Sequence, residues 1–130
     1  MLKKQLYIAD DNVDFAEFIA TVARGENWEP FVCGNGKELL ELVASGWGPA
    51  LLVVDVNMPE MDGIEAIEGL REIDRRMRLR FITGGSEAPL LAARMIAEAR
   101  SLSVGRNLYK PLRKKTLVSM LELEERELTS

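Results

Sequence analysis

The sequence predicts an α/β fold, a parallel sheet with helices on both faces. Three observations carry that prediction. Five short apolar runs alternate with five stretches whose apolar residues recur at helical spacing. The runs are continuous rather than alternating, above all Leu51 to Val54, as strands buried on both faces require. Gly25, Asn35-Gly36 and Ser45-Gly46 fall between elements, where helices stop and chains turn. Strands and helices alternating this way favour βαβ units, whose right-handed crossovers put helices on both sides of the sheet.

The elements follow in order. Gln5 to Ala9 reads as the first strand, and Phe15, Phe18, Ile19 and Val22 set one face of the first helix. Trp28 to Val32 is the second strand, and after a turn at Asn35-Gly36 the residues Leu39, Leu40 and Val43 mark the second helix. Leu51 to Val54 is the third strand; Ile64, Ile67 and Leu70 mark the third helix. Arg80 to Thr83 is the fourth strand; Leu91, Met95, Ala99 and Leu102 mark the fourth helix. Asn107 to Tyr109 is a short fifth strand, and Leu117, Met120, Leu121 and Leu128 mark the fifth helix.

A chain of 130 residues fits one domain over 1–130, with the packed core expected at about 4–121 and a charged helix end over 122–130 that frays after Leu128. Hydrophobic residues make up 47% and charged residues 29%, the balance of a globular protein. No apolar run approaches the ~20 residues of a membrane span. The single Cys33 can form no internal disulfide and reads as a packed small hydrophobe, so the cytoplasm is the expected location. There is no histidine, which excludes Ser-His-Asp and Cys-His catalysis and every histidine metal site. Residues 1–69 carry 4 basic and 13 acidic side chains, and residues 70–130 carry 13 basic and 8 acidic. That mixed-sign second half is a weak nucleic-acid signal, and the run Arg71 to Arg80 reads as a solvated helix end and loop. Trp28, Trp47 and Tyr109 read as packing or surface residues.

Ligands of open α/β sheets bind outside the carboxyl ends of the strands. The residues there are Asp10-Asp11, Asp55, Thr83 and Lys110. Crowded carboxylates raise one another's pKa unless a cation neutralises them, and a hard divalent ion does this best. Mg²⁺ suits the set: Asp11 and Asp55 as direct ligands, Asp10 through water, and the backbone carbonyl of Asn57 as a candidate to complete it. Lys110 and the Thr83 hydroxyl, beside the open Gly84-Gly85, add a clamp for a phosphoryl group around Asp55, and an aspartate can itself be the nucleophile. Singly, each residue has an ordinary reading. An Asp-Asp pair after a strand caps a helix, Asp62-Gly63 makes a turn, and Lys110-Pro111 is a surface lysine before a loop. Only their joint placement singles them out.

With Asp10-Asp11, Asp55 followed by Met58-Pro59 and Asp62-Gly63, Thr83, and Lys110-Pro111, the chain resembles the receiver domains of bacterial two-component response regulators, including the stand-alone, chemotaxis-type ones. The resemblance runs from Leu6 to about Leu121. It implies a flavodoxin-like fold with strand order 2-1-3-4-5 and a cis Lys110-Pro111 bond. It implies that Asp55 accepts a phosphoryl group from a histidine kinase or phosphotransfer domain, with Mg²⁺, Thr83 and Lys110 assisting. It also implies a switch rather than an enzyme, acting only in its own phosphorylation and dephosphorylation. The output face would be the fourth helix, fifth strand and fifth helix, meeting a downstream protein, with the chain a monomer or weak dimer. One position departs from the family: Asn107 stands where an aromatic residue usually couples to the threonine. The competing readings are a degenerate docking receiver, against which the intact set of five residues argues, and a small phosphatase with an aspartate nucleophile. The phosphatase chemistry needs a second aspartate two residues after the first, where this chain has Asn57.

Overall fold

The structure, a computed structural model, describes residues 3–58 and 63–130. Five strands and five helices alternate: β1 (Lys4–Ala9), α1 (Val13–Gly25), β2 (Trp28–Cys33), α2 (Gly36–Ser45), β3 (Ala50–Asp55), α3 (Gly63–Arg71), β4 (Met77–Thr83), α4 (Ala88–Ala99), β5 (Leu108–Tyr109) and α5 (Lys114–Thr129). The strands form one sheet of order β2-β1-β3-β4-β5, and every pairing is parallel. Pro59 and Asp62 lie outside the described residues.

Alternate side chains of each strand face opposite layers. Leu6, Ile8, Leu51, Val53 and Ile82 pack against α1 and α5 through Ala16, Ile19, Ala20, Leu117, Met120 and Leu121. Tyr7, Leu52, Val54, Leu79 and Phe81 face the other way, onto Leu39 and Val43 of α2, Ile67 and Leu70 of α3, and Leu90 and Ala97 of α4. β3 is buried at all 6 positions, which explains why it reads as a continuous apolar run. Asparagines start the first two helices. Asn12 accepts the Phe15 amide at 3.1 Å, and Asn35 accepts the Glu38 amide at 2.9 Å while donating to its carboxylate at 2.8 Å. Asn35-Gly36 is thus a helix start rather than a free turn.

One expectation fails and another holds only in part. The inward face of α4 is not Leu91, Met95 and Ala99: Leu91 is 48% and Met95 71% exposed, while Leu90 and Ala97 are buried. The helix is apolar over much of its surface, so periodicity alone could not say which stripe the sheet covers. The basic run is a solvated helix end and loop only in part: Arg71, Glu72, Asp74 and Arg76 are exposed, whereas Met77 to Arg80 belong to β4. Arg75 donates to the carbonyls of Gly48 (3.0 Å) and Val43 (2.8 Å), to Tyr7 Oη (2.9 Å) and to Gln5 Oε1 (2.8 Å). Arg80 is only 5% exposed and shares the fully buried Glu124 carboxylate with Arg78, at 2.8 and 2.9 Å. A buried guanidinium is tolerable where carboxylates and carbonyls satisfy its donors.

Candidate functional site

Parallel register aligns the carboxyl ends of the strands. Ala9 pairs with Val54 and Asp55 with Ile82, so Asp10 and Asp55 follow neighbouring strands at the same level. Both acids are fixed by the same local turn. Asp10 Oδ1 accepts the Asn12 amide at 2.8 Å, and Asp55 Oδ1 accepts the Asn57 amide at 2.8 Å. That leaves each Oδ2 turned toward Lys110, whose Nζ lies 2.9 Å from Asp10 Oδ2 and 3.0 Å from Asp55 Oδ2. The lysine reaches them because β5 ends beside Thr83, where the Lys110 amide donates to the Thr83 carbonyl at 2.8 Å, and because Lys110-Pro111 is cis. Gly84 makes room for its stem: a Cβ there would meet Lys110 Cδ at 3.1 Å.

The set divides by depth. Asp10 and Asp55 are buried, whereas Asp11 and Asn57 are exposed. Asp11, Asn12, Asp55, Asn57, Gly84, Gly85 and Lys110 line an open cavity of about 530 Å³. Asp10 lies behind it, and carboxylate oxygens of Asp10, Asp11 and Asp55 lie within 4.8 Å of one another. Burial raises the Asp10 carboxyl above its ordinary value, opposed by Lys110 and the Asn12 amide. Its Oδ2 sits at ion-pair distance from Lys110 but off the direction of a hydrogen bond, and has no other polar partner among the described residues. Partial burial works to lower Lys110, and the carboxylates of Asp10 and Asp55 outweigh it, so its pKa stands raised. The donor set is all oxygen, and a buried carboxylate oxygen lacks a hydrogen bond. Both suit a hard cation.

Thr83 is 2% exposed, and its hydroxyl is held from three directions. It accepts from Asn57 Nδ2 at 2.7 Å and from the Gly85 amide at 3.1 Å, and donates to the Ser86 carbonyl at 3.3 Å. The sequence reading expected Asn57 to act through its carbonyl and missed its side chain. It also missed Phe15, whose ring centroid lies 4.6 Å from Lys110 Nζ. Phe15 reads in sequence as one more apolar helix residue, and no local signal marks it.

The response regulator receiver domain family matches residues 6–122 of this chain. Sporulation initiation phosphotransferase F of Bacillus subtilis is 28% identical over 111 residues, 85% of each chain. A response regulator receiver protein of Anaeromyxobacter sp. is 41% identical over 71 residues, 55% of this chain and 29% of its own length. Among solved structures, a CheY-like response regulator receiver domain protein of Methanospirillum hungatei superposes with a TM-score of 0.80 over 99% of this chain and 98% of its own, at 18% identity. The N-terminal domain of a response regulator/sensory box/GGDEF protein of Carboxydothermus hydrogenoformans gives a TM-score of 0.75 over 95% and 94%, at 23% identity. At these identities the structural likeness speaks for the fold. The family match runs from within β1 through the other four strands and the residues at their ends, so the chain belongs to the response regulator receiver domains of two-component signalling.

Proposed function

We propose that this chain is a single receiver domain that works as a phosphorylatable switch, with Asp55 as the phospho-acceptor. The observation that carries the reading is the setting of Asp55: one oxygen fixed by the Asn57 amide, the other facing Lys110, at the wall of a cavity shared with Asp11 and two glycines. A carboxylate oxygen of Asp55 attacks the phosphorus of a phosphohistidine. The O–P bond forms, the P–N bond breaks, and its electron pair leaves with the imidazole, giving an acyl phosphate. Lys110 holds positive charge beside the reacting oxygen, and the open space at Gly84-Gly85 admits the phosphoryl group.

The oxygen donors and the orphaned Asp10 Oδ2 fit Mg²⁺, which Asp10, Asp11, Asp55 and the Asn57 carbonyl would hold. When bound, the ion would neutralise charge on the phosphoryl oxygens. The donor would be a histidine kinase or a phosphotransfer protein, the classes with which receiver domains interact. Thr83 would then turn toward the phosphoryl group, and the face of α4, β5 and α5 would carry the output to a downstream protein. The expected setting is the cytoplasm, as a monomer or weak dimer.

Incubation with Mg²⁺ and acetyl phosphate should add one phosphate, labile to base and to hydroxylamine. Asp55→Asn should remain unlabelled by intact-mass analysis. Full labelling of that variant would sink the assignment.

A further inference from the structure

The phosphorylation site leaves a second cluster of like charge unexplained. Arg78 and Arg80 of β4, Arg94 of α4 and Arg106 before β5 line one cavity of about 420 Å³, together with Val104, Gly105 and Leu123. Its lining draws on β4, α4, α5 and the chain just before β5. Among the described residues, two carboxylates reach these four guanidiniums. Glu124 pairs with Arg78 and Arg80, and Glu98 pairs with Arg94 at 2.9 Å. Arg106 is exposed and pairs with no carboxylate among the described residues, so the cavity keeps a positive excess.

Three of the four arginines are also held in place. The fully buried Glu124 grips both strand arginines by their Nε atoms, and Arg94 donates to the Gly105 carbonyl and to Asn107 Oδ1 at 3.2 Å. Glycine is needed at the back wall, because a Cβ on Gly105 would lie 2.9 Å from Arg80 Cδ and 3.0 Å from Arg78 Nη2. Immobilised guanidinium forks with spare positive charge recognise planar oxyanions, above all carboxylates and phosphates. The surroundings decide between these. Leu123 at the cavity is 40% exposed. Leu91, one turn before Arg94 on the same helix face, is 48% exposed. A free phosphate gains nothing from this apolar surface, whereas a protein segment gains from both parts.

We infer that this cavity receives a carboxylate from an acidic, apolar-flanked segment of a protein partner. The inference rests on reading the α4, β5 and α5 side as the output face and names what that face recognises.

The test uses the isotope-labelled full chain at low ionic strength. The probes are a capped hexapeptide of four glutamates and two leucines, its glutamine counterpart, and tripolyphosphate. The glutamate peptide should shift the side-chain signals of Arg94 and Arg106 and the amides of 104–107, and the glutamine peptide should not. Arg106→Ala should weaken the glutamate peptide about tenfold, while Lys37→Ala, which removes an equal charge elsewhere, should leave its affinity unchanged. The inference is overturned if both peptides bind alike, if Lys37→Ala weakens binding as much as Arg106→Ala, or if tripolyphosphate alone occupies the cavity. Asp55 labelling is followed on the same wild-type sample. Absent labelling sinks the phosphorylation reading, and absent peptide shifts with intact labelling sink the cavity alone.

Discussion

Single residues here are set by what surrounds a charge. Burial raises the Asp10 carboxyl, so its protonated form is the better tolerated one in the metal-free fold. Stability linked to a group with a raised folded-state pKa is fully present below its ordinary value, 3.8 for Asp10, and is lost as pH climbs through the raised value. In magnesium-free buffer at neutral pH, Asp10→Asn should therefore melt a few degrees above wild type, with the gap closing below pH 3.8. Adding Mg²⁺ should raise the melting point of wild type more than that of the variant if the ion binds the folded acids as proposed. A gap that persists at low pH would show that packing, not charge, is responsible. Cys33 obeys the same rule. Burial, and then the Glu38 carboxylate, push its thiol up to about 12. A thiol reagent at pH 8 should label the folded chain on the order of a hundredfold or more slowly than the unfolded chain.

At the scale of elements, packing overrides pattern. α4 presents Leu90 and Ala97 to the core and leaves Leu91 and Met95 outside. Urea denaturation should show Leu90→Ala costing about 2–5 kcal/mol and Met95→Ala within about 0.5 kcal/mol of wild type. α5 buries a stripe in which Glu124 stands between Leu121 and Leu128. Removing that carboxylate takes the ion-pair partner from two arginines, Arg78 and the buried Arg80. Glu124→Ala should cost about 3–5 kcal/mol, and replacing all three residues by apolar ones of similar volume should recover most of the loss. Equal costs for the single and triple variants would refute the pairing as the cause.

Across the whole molecule, Thr83 links the carboxylate cavity to the start of α4 and to β5. Its hydroxyl holds the loop at Gly85 and Ser86, and that loop leads to Glu87, which precedes α4 without a side-chain capping bond and accepts from Tyr109 Oη of β5 at 2.7 Å. A Thr83 drawn toward a phosphoryl group must rearrange this loop, a bias on a two-state element. Asn107 offers no aromatic ring for such a route and instead accepts from Arg94 at 3.2 Å. Beryllofluoride with Mg²⁺ should thus move amides over 84–91 and at Tyr109. If the largest remote shifts instead cluster around Asn107 with 84–91 silent, the route is wrong. How much of this could be read in advance follows from range. Strand and helix alternation and the acids at strand ends are local features, and the sequence by itself determined them; family resemblance added the sheet order. Which stripe of α4 is covered, and that Asp10 lies behind Asp11, were decided only in three dimensions. So was the burial of Glu124, whose arginine partners are 44 and 46 residues away. The physical reason is that periodicity reports which residues are apolar, whereas the cost of burying a charge depends on partners that only the folded chain brings within reach.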